Sequence, residues 1–270
     1  MIVSDRHKVI FIHIPKCAGT TVRRALQPHD DTGGRFDRRI EPHDGLGPVD
    51  MTHLPLDLMA QLAPEEHAKL VGGNYAAYAL LRDPFARFPS SVAQRLKMFR
   101  GAELAQVDAA TLKREIAETI RYLSDTPAGH DPAYIHFRRQ SDYALRDGQQ
   151  VVERLYTLDQ IDAFWADIAA RTGGGATPET RSRNRTRSLS LPLLRRPVQA
   201  ASRAVARVLP QAAYRPMRRR ARRVLMTDTA TPHAAVFASD EIRAFVAAHY
   251  AEDIALFERV RDAGPGATAA

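Results

Sequence analysis

A short apolar run followed by a loop of small residues constrains this chain more than any other stretch. Val9–Ile14 is mostly β-branched or aromatic, which is typical of a strand buried on both faces of a parallel sheet. Pro15 has no N–H to donate and ends the strand, Gly19 permits a tight turn, and apolar residues at helical spacing follow up to Leu26. A strand, a loop and a helix N-terminus in this order direct backbone N–H groups at one place, which suits a phosphate or a sulfate.

The loop differs from the common nucleotide-binding loop. That loop has four residues between two glycines and then Lys-Ser/Thr, whereas here Lys16 precedes a single glycine. Lys16 adds a mobile positive charge, and Thr20 and Thr21 add hydroxyl donors. The stretch therefore predicts an anion-binding loop and weakens an interpretation as an ATP or GTP site.

A second strand carries another anion-binding pattern. Tyr75–Leu81 is apolar, and it is followed by Arg82 and a predicted helix. Arg82 leaves the strand end with a fork of donors suited to a phosphate, and Ser90 adds a hydroxyl from the helix. Asp83 and Arg87 are expected to fix the corner between the strand and the helix.

Together the two patterns resemble a known family. The order P-K-x-x-G-T-T after a strand, and then R-D-P-x-x-R-x-x-S, resembles the sulfotransferases that use PAPS (3′-phosphoadenosine 5′-phosphosulfate), especially the carbohydrate group related to heparan sulfate 2-O-sulfotransferases. The match is strong over residues 8–100 and weaker over residues 134–187 and 239–260. The family's usual loop is close to PKTGGTS, so Cys17 and Ala18 are departures. Both are small, and such a loop binds largely through its backbone.

The resemblance implies roles for particular residues. The cofactor-binding residues that it implies are Lys16, Cys17, Ala18, Gly19, Thr20, Thr21, Arg82, Ser90 and Asn184. His53, in the sequence HLPL, matches the family's catalytic base, and Lys16 would offset charge on the departing phosphate. His136 and Gln140 match a region near the acceptor. The implied reaction needs no metal.

The resemblance also implies the fold. It is an α/β, P-loop-like fold of three layers, in which helices flank a central parallel sheet and the cofactor lies across the carboxyl ends of the strands. We expect a single sulfotransferase domain over residues 1–262. Residues 181–226 are expected to form a basic helical insertion, and residues 263–270 a disordered tail.

Further segments complete the predicted organisation. Residues 27–50 are rich in Gly, Pro, Asp and Arg and predict a long exposed connection. Residues 109–123 predict an amphipathic helix, residues 151–156 a strand and residues 158–171 a helix. Ser239 is the predicted N-cap of one closing helix.

The positive charge of the chain is concentrated in one tract. Residues 181–223 contain 14 arginines and no acid, and since the whole chain has a net charge of +8, the remainder carries −6. A basic tract on a mildly acidic body indicates contact with an anionic glycan, an acidic membrane surface or the cofactor, or else a solvated face. It argues against specific nucleic-acid binding, which favours a globally basic surface. We expect residues 195–223 to meet any such anionic surface.

The composition is that of a globular protein in a reducing compartment. Hydrophobic residues make up 44% of the chain, and no run approaches the roughly 18 apolar residues of a membrane span. A single cysteine, Cys17, excludes an internal disulfide, and the N-terminal residues leave no room for a signal peptide before the first strand. The sequence therefore predicts a cytoplasmic protein, either free or attached to the inner membrane surface. The Arg- and Ala-rich composition suggests a bacterial source.

These features predict a transferase that moves the sulfuryl group of PAPS to an acceptor hydroxyl, expected on a carbohydrate, with PAP as the product. Two other functions stay open. A nucleotide kinase would need ATP and Mg²⁺, for which the sequence offers neither the usual loop nor a clear acidic metal ligand. A non-enzymatic module would instead use the arginine tract to bind nucleic acid or a membrane surface.

Overall fold

The structure is a computed structural model of the chain. It describes residues 1–37, 40–174, 188–189, 226–227 and 233–264. The predicted role of Asn184, the helices predicted within the basic insertion and the tail from residue 265 onwards all lie outside these residues.

The chain divides into two compact units, Met1–Arg181 with Ala235–Ala270, and Ser182–Ala234. Within the second unit, the described residues form a short antiparallel pair, in which Ser188–Leu189 pairs with Met226–Thr227. The first unit holds the predicted site residues that the structure describes.

The first unit is built on a four-stranded sheet with helices around it. The strands of that sheet are β1 (Ile2–Ser4), β2 (Val9–Ile12), β5 (Ala76–Leu81) and β8 (Arg154–Thr157). Two hairpins lie outside the sheet, β3 (Ile40–His43) with β4 (Gly47–Asp50), and β6 (Leu145–Arg146) with β7 (Gln149–Gln150). The α-helices are α1 (Gly19–Leu26), α2 (Leu56–Leu62), α3 (Pro64–Val71), α4 (Pro84–Phe99), α5 (Ala109–Asp125), α6 (Ser141–Ala144), α7 (Ile161–Thr172), α8 (Ala234–Phe237), α9 (Asp240–His249) and α10 (Ala251–Asp262).

The sheet has the order β1-β2-β5-β8, and β2, β5 and β8 run parallel. All residues of β2 and β5 are buried, as expected for central strands covered on both faces. The predicted α/β fold with a central parallel sheet flanked by helices is therefore confirmed. Strand β1, which was not predicted from the sequence, is an edge strand that pairs antiparallel with β2.

Two strands have bounds that differ from the predicted ones. The first strand ends at Ile12, so that His13 and Ile14 belong to the loop. The strand predicted over residues 151–156 starts only at Arg154, because the N–H groups of Val151 and Val152 donate to the carbonyl oxygen of Ala144 and not to the sheet.

The connection predicted to be long and exposed over residues 27–50 is partly folded. Residues 40–50 form the β3–β4 hairpin, and the Phe36 and Val49 side chains are only 1% exposed. The other described residues of this segment are exposed or partly exposed, as predicted, but the hairpin was not predicted, because apolar side chains this far apart in a Gly-rich segment leave no periodic signal. The hairpin ends at Asp50, next to the predicted catalytic histidine.

Helix α4 continues the chain from β5 and packs in a second apolar core. The Asp83 carboxylate caps it by accepting from the N–H of Phe85 at 3.0 Å, and Pro84 occupies the first helical position without wasting a donor. Residues of α4, α5 and α9 supply most of this core. The helix predicted over residues 109–123 is confirmed as α5, which begins after an Asp108 cap.

The closing segment forms two helices where the sequence predicted one. Helix α9 ends at His249 and α10 begins at Ala251. Between them the fully buried Tyr250 donates its hydroxyl hydrogen to the carbonyl oxygen of Phe137 at 2.7 Å. Among the described residues, no helix has the length and apolar character needed to cross a bilayer. The cytoplasmic location stays a prediction.

Candidate active site

The loop after β2 presents backbone donors at the start of α1. Lys16 and Ala18 have left-handed φ angles of 65° and 60°, which turn the chain so that α1 begins at Gly19. Among the described residues, the first backbone bonds of α1 come from the N–H groups of Thr21 and Val22, which donate to the carbonyl oxygen of Ala18, so the donors of the preceding residues lie ahead of the helical bonds. These donors lie at the positive end of an eight-residue helix, as an anion site requires.

Gly19 is required for close packing and not for the tight turn that the sequence predicted. It does not have a positive φ, so the tight turn is made by Lys16 and Ala18 and not by the glycine. A Cβ on Gly19 would lie 1.8 Å from Cδ2 of His13. The glycine is needed because the His13 ring packs directly against the first turn of α1.

Lys16 carries the mobile charge of the loop. Its ammonium group donates to Oε1 of Gln94 on α4 at 3.0 Å. Burial, and then the positive charge of Arg82, lower the pKa of Lys16 to about 8. An anion bound beside this ammonium would oppose both effects and raise that pKa again.

Arg82 lies beside the same loop. Its Nη1 donates to the carbonyl oxygen of Lys16 at 3.3 Å, and burial lowers the pKa of its guanidinium group. The two predicted anion-binding elements are therefore in direct contact, although 66 positions separate them in the sequence. Ser90 lies partly exposed on α4, one turn before Gln94.

The buried Arg87 side chain binds the backbone at the start of the loop. Its Nε donates to the carbonyl oxygen of Pro15 at 3.1 Å, and its Nη2 donates to the carbonyl oxygen of Arg138 at 2.6 Å. The side chain is only 2% exposed. These bonds agree with the structural role predicted for Arg87.

His53 is paired with a carboxylate that the sequence analysis did not identify. Its Nδ1 lies 2.8 Å from Oδ2 of Asp50. Because a carboxylate only accepts, Nδ1 carries the hydrogen and Nε2 keeps a lone pair with which to take a proton. Burial lowers the pKa of His53, and Asp50 partly offsets this effect. An aspartate three residues before the histidine was the only signal in the sequence.

Two further histidines flank His53. The ring centroid of His13 lies 4.5 Å from that of His53, and the centroid of His136 lies 5.2 Å from it on another side. Burial lowers the pKa of His13 well below its ordinary value and that of His136 to about 3, so both rings are neutral at pH 7. Among the described residues, these and other His, Cys, Asp and Glu side chains form no group of three or more that could hold a metal ion.

The remaining predicted residues divide between the surface and the interior. Thr20 is exposed and Thr21 partly exposed on the first turn of α1. The Cys17 thiol points inward, donates to Oε1 of Gln140 at 3.2 Å and is 1% exposed. Burial raises its pKa to about 11, so it stays protonated. Gln140 is fully buried, and its role near an acceptor stays a prediction.

These elements meet at one edge of the sheet. The loop and Arg82 follow neighbouring parallel strands, and His53 lies against His13 at the end of β2. The loop with its backbone donors, two cationic side chains and the His53–Asp50 pair therefore lie together at this edge.

The chain belongs to the sulfotransferase family, whose family model matches residues 1–258. The family predicted from the sequence is thereby confirmed, and membership identifies the protein as a transferase of sulfuryl groups, which disfavours the kinase alternative. No curated protein and no solved structure matches the chain significantly. The carbohydrate group within the family stays a prediction.

We predict that Gly19→Ala destabilises the protein by about 1–3 kcal/mol, the usual cost of overpacking a core, because its Cβ would collide with the His13 ring. In a His13→Ala background the same change should cost almost nothing. Urea unfolding of the wild type and the three variants gives this coupling directly. Equal costs of Gly19→Ala in both backgrounds would contradict the packing explanation.

Proposed function

We propose that this protein transfers the sulfuryl group of PAPS to a hydroxyl group of an acceptor. The family resemblance implies that the acceptor is a carbohydrate. The observation that carries the proposal is the contact between the loop of Lys16 and the side chain of Arg82, with the His53–Asp50 pair nearby. PAPS has phosphate groups at both its 3′ and 5′ ends. Two cationic elements in contact, beside a histidine with a free Nε2, suit that cofactor and a hydroxyl acceptor.

The hydrogen-bond donors of the site fit a nucleotide that has anionic groups at two positions, 3′ and 5′. The loop offers backbone N–H groups at a helix N-terminus together with the Lys16 ammonium, which suits the 5′-phosphosulfate. Arg82 offers a planar fork of N–H donors and Ser90 a hydroxyl on α4, which suits the 3′-phosphate. Residues 17–19 would contact the cofactor through their backbone, and Thr20 and Thr21 through their hydroxyl groups.

The chain's own residues supply positioning, charge and a base. PAPS supplies the sulfuryl group when bound. Asp50 holds the His53 ring so that Nε2 takes the acceptor's proton, and it stabilises the imidazolium that forms. Lys16 and the loop N–H groups offset negative charge that grows on the 5′-phosphate oxygen as it departs. Arg82 and Ser90 hold the far end of the nucleotide, so that attacking and departing oxygens lie in line.

The proposed reaction requires no metal ion. Lys16 and Arg82 provide the positive charge that a divalent cation would bring to a nucleotide kinase. An anion-binding role of residues 195–223 is a separate proposal, which rests on their charge alone.

We predict that PAP binds more tightly than ADP or ATP–Mg²⁺ to the wild-type protein, because only PAP has a phosphate for Arg82. Isothermal titration calorimetry at moderate salt measures all three. Arg82→Ala should weaken PAP binding about ten- to a hundredfold, since a hydrogen bond to a charged group contributes about 1.5–3 kcal/mol, and it should leave ADP nearly unchanged. Lys16→Ala should weaken the binding of both PAP and ADP.

The matched control for this experiment is Arg121→Ala, which removes an exposed arginine from α5. Its affinity for PAP should equal that of the wild type. A preference for ATP–Mg²⁺ would sink the sulfotransferase proposal, and the absence of any nucleotide binding would favour an anion-binding module.

We predict that His53→Ala lowers turnover about 10²-fold or more, the usual contribution of a general base, with PAP affinity almost unchanged. Turnover is measured as PAP released from PAPS, with an acceptor found by screening carbohydrates. Near-normal turnover in this variant would remove His53 from the catalytic role.

We predict that Asp50→Asn lowers turnover roughly tenfold or more, because the His53 ring loses the carboxylate that orients it. Asp50 raises the pKa of His53 against the effect of burial, so without it that pKa falls further. The rise of turnover with pH, as His53 loses its proton, should therefore move to lower pH. Profiles of turnover between pH 5 and 8 test this shift. Asp44→Asn, which removes the exposed aspartate of the same hairpin, should leave the profile in place.

A further inference from the structure

A single buried carboxamide is bonded to both anion-binding elements. Oε1 of Gln140 accepts from the backbone N–H of Arg82 at 2.9 Å and from the Cys17 thiol at 3.2 Å. Its Nε2 donates to the carbonyl oxygen of Arg82 at 2.9 Å. Arg82 follows β5 and Cys17 lies in the loop after β2. The Gln140 side chain therefore bridges the ends of two neighbouring strands.

A buried carboxylate fixes the bridge in turn. The N–H groups of Gln140 and Ser141 donate to the two carboxylate oxygens of Asp253 at 2.7 and 2.8 Å. Asp253 lies on α10 and is 1% exposed, and Nη1 of Arg87 lies 3.9 Å from its Oδ2. The same guanidinium group holds Pro15 through Nε. The start of the loop, its middle and the end of β5 are thus all tied to one carboxylate of the closing helix.

The chemistry of the bridge requires a carboxamide. Both a donor and an acceptor are needed, because Arg82 presents its N–H and its carbonyl oxygen to the same side chain. An apolar residue would deprive both of these partly buried backbone groups of their partner. A carboxylate would place an oxygen against the Arg82 carbonyl and add negative charge where an anionic nucleotide must bind.

We infer that Gln140 is a positioning residue that sets the spacing between the loop of residues 15–19 and Arg82, and thereby the protein's selectivity for a nucleotide with both a 3′- and a 5′-phosphate. The inference rests on the proposed function. It replaces the contact with the acceptor that the sequence suggested for Gln140, because this side chain is 0% exposed and its polar atoms are bonded within the protein.

The inference is tested with Gln140→Met and Gln140→Glu, by calorimetric titration with PAP and with ADP. A ligand that spans both elements depends on their spacing, whereas ADP lacks the 3′-phosphate and depends on the loop alone. Gln140→Met should bind PAP about tenfold more weakly at pH 8, the loss expected for about 1.4 kcal/mol, while its ADP affinity changes little. The carboxylate of Gln140→Glu repels both nucleotides, so this variant should also lose affinity for ADP, and it should lose about tenfold more for PAP because the spacing is changed as well. The ratio of the PAP and ADP affinities should therefore fall about tenfold.

Gln140→Glu adds a readout that a general loosening of the fold would not give. A protonated Glu restores a donor to the Arg82 carbonyl, and burial raises the pKa of a carboxyl group. The PAP to ADP ratio of this variant should therefore recover towards the wild-type value as the pH is lowered from 8 to 6. This variant keeps the size of the side chain, so it also serves if Gln140→Met fails to fold.

The matched controls are Gln160→Met and Gln160→Glu. The Gln160 carboxamide also bonds backbone groups at a strand end, since its Oε1 accepts from the N–H of Thr157 at 3.0 Å and its Nε2 donates to the carbonyl oxygen of Val260 at 3.3 Å. It touches neither anion-binding element. These variants should cost stability in thermal unfolding and leave the PAP to ADP ratio unchanged.

Three outcomes would overturn the inference. If folded Gln140 variants keep the wild-type ratio, Gln140 has no positioning role and the proposed function stands. If the Gln160 variants lower the ratio as much as the Gln140 variants, the effect is general loosening. If the wild-type protein itself does not prefer PAP over ADP, both the inference and the proposed function fail.

Discussion

The parallel pairing of β2 with β5 is the constraint on which the site depends. Its register places Ile12 opposite Ala79, so both strands end at the same edge of the sheet. The loop that follows β2 and the arginine that follows β5 therefore emerge side by side, as at the carboxyl ends of other open α/β sheets. The bond from Arg82 to the Lys16 carbonyl joins them. Two segments far apart in the sequence thereby form one surface with two cationic side chains.

Burial shifts the pKa of several groups at this edge. It lowers the pKa of Lys16, and the nearby Arg82 charge lowers it further. It also keeps His13 and His136 neutral, so the rings that flank His53 add no charge to a site already rich in cations. Of these three histidines, His53 alone has a carboxylate partner among the described residues, which is Asp50. The site therefore combines cations that a bound anion would stabilise with one histidine suited to accept a proton at neutral pH.

The loop adopts a costly backbone conformation that its surroundings maintain. A left-handed φ costs an L-residue about 1–2 kcal/mol, and both Lys16 and Ala18 adopt it. Such residues persist at functional sites where neighbouring contacts over-determine them. Here Arg87 holds the carbonyl of Pro15 and the Cys17 thiol bonds Gln140. Cys17, a departure from the family's usual loop, thus has a structural role in this protein.

The sequence by itself determined the parallel strands, the loop of Lys16 and the corner of Arg82, because burial, turn residues and helix starts are local properties. It identified the family for the same reason. Only the tertiary structure decided that His13 packs on Gly19, that Asp50 orients His53 and that Gln140 is wholly internal. Each of these depends on a contact made when separate segments meet, through a hairpin without apolar periodicity, a ring against a helix, or a side chain enclosed by the closing helix. Such contacts follow from where the chain places its elements, and no spacing within one segment encodes them.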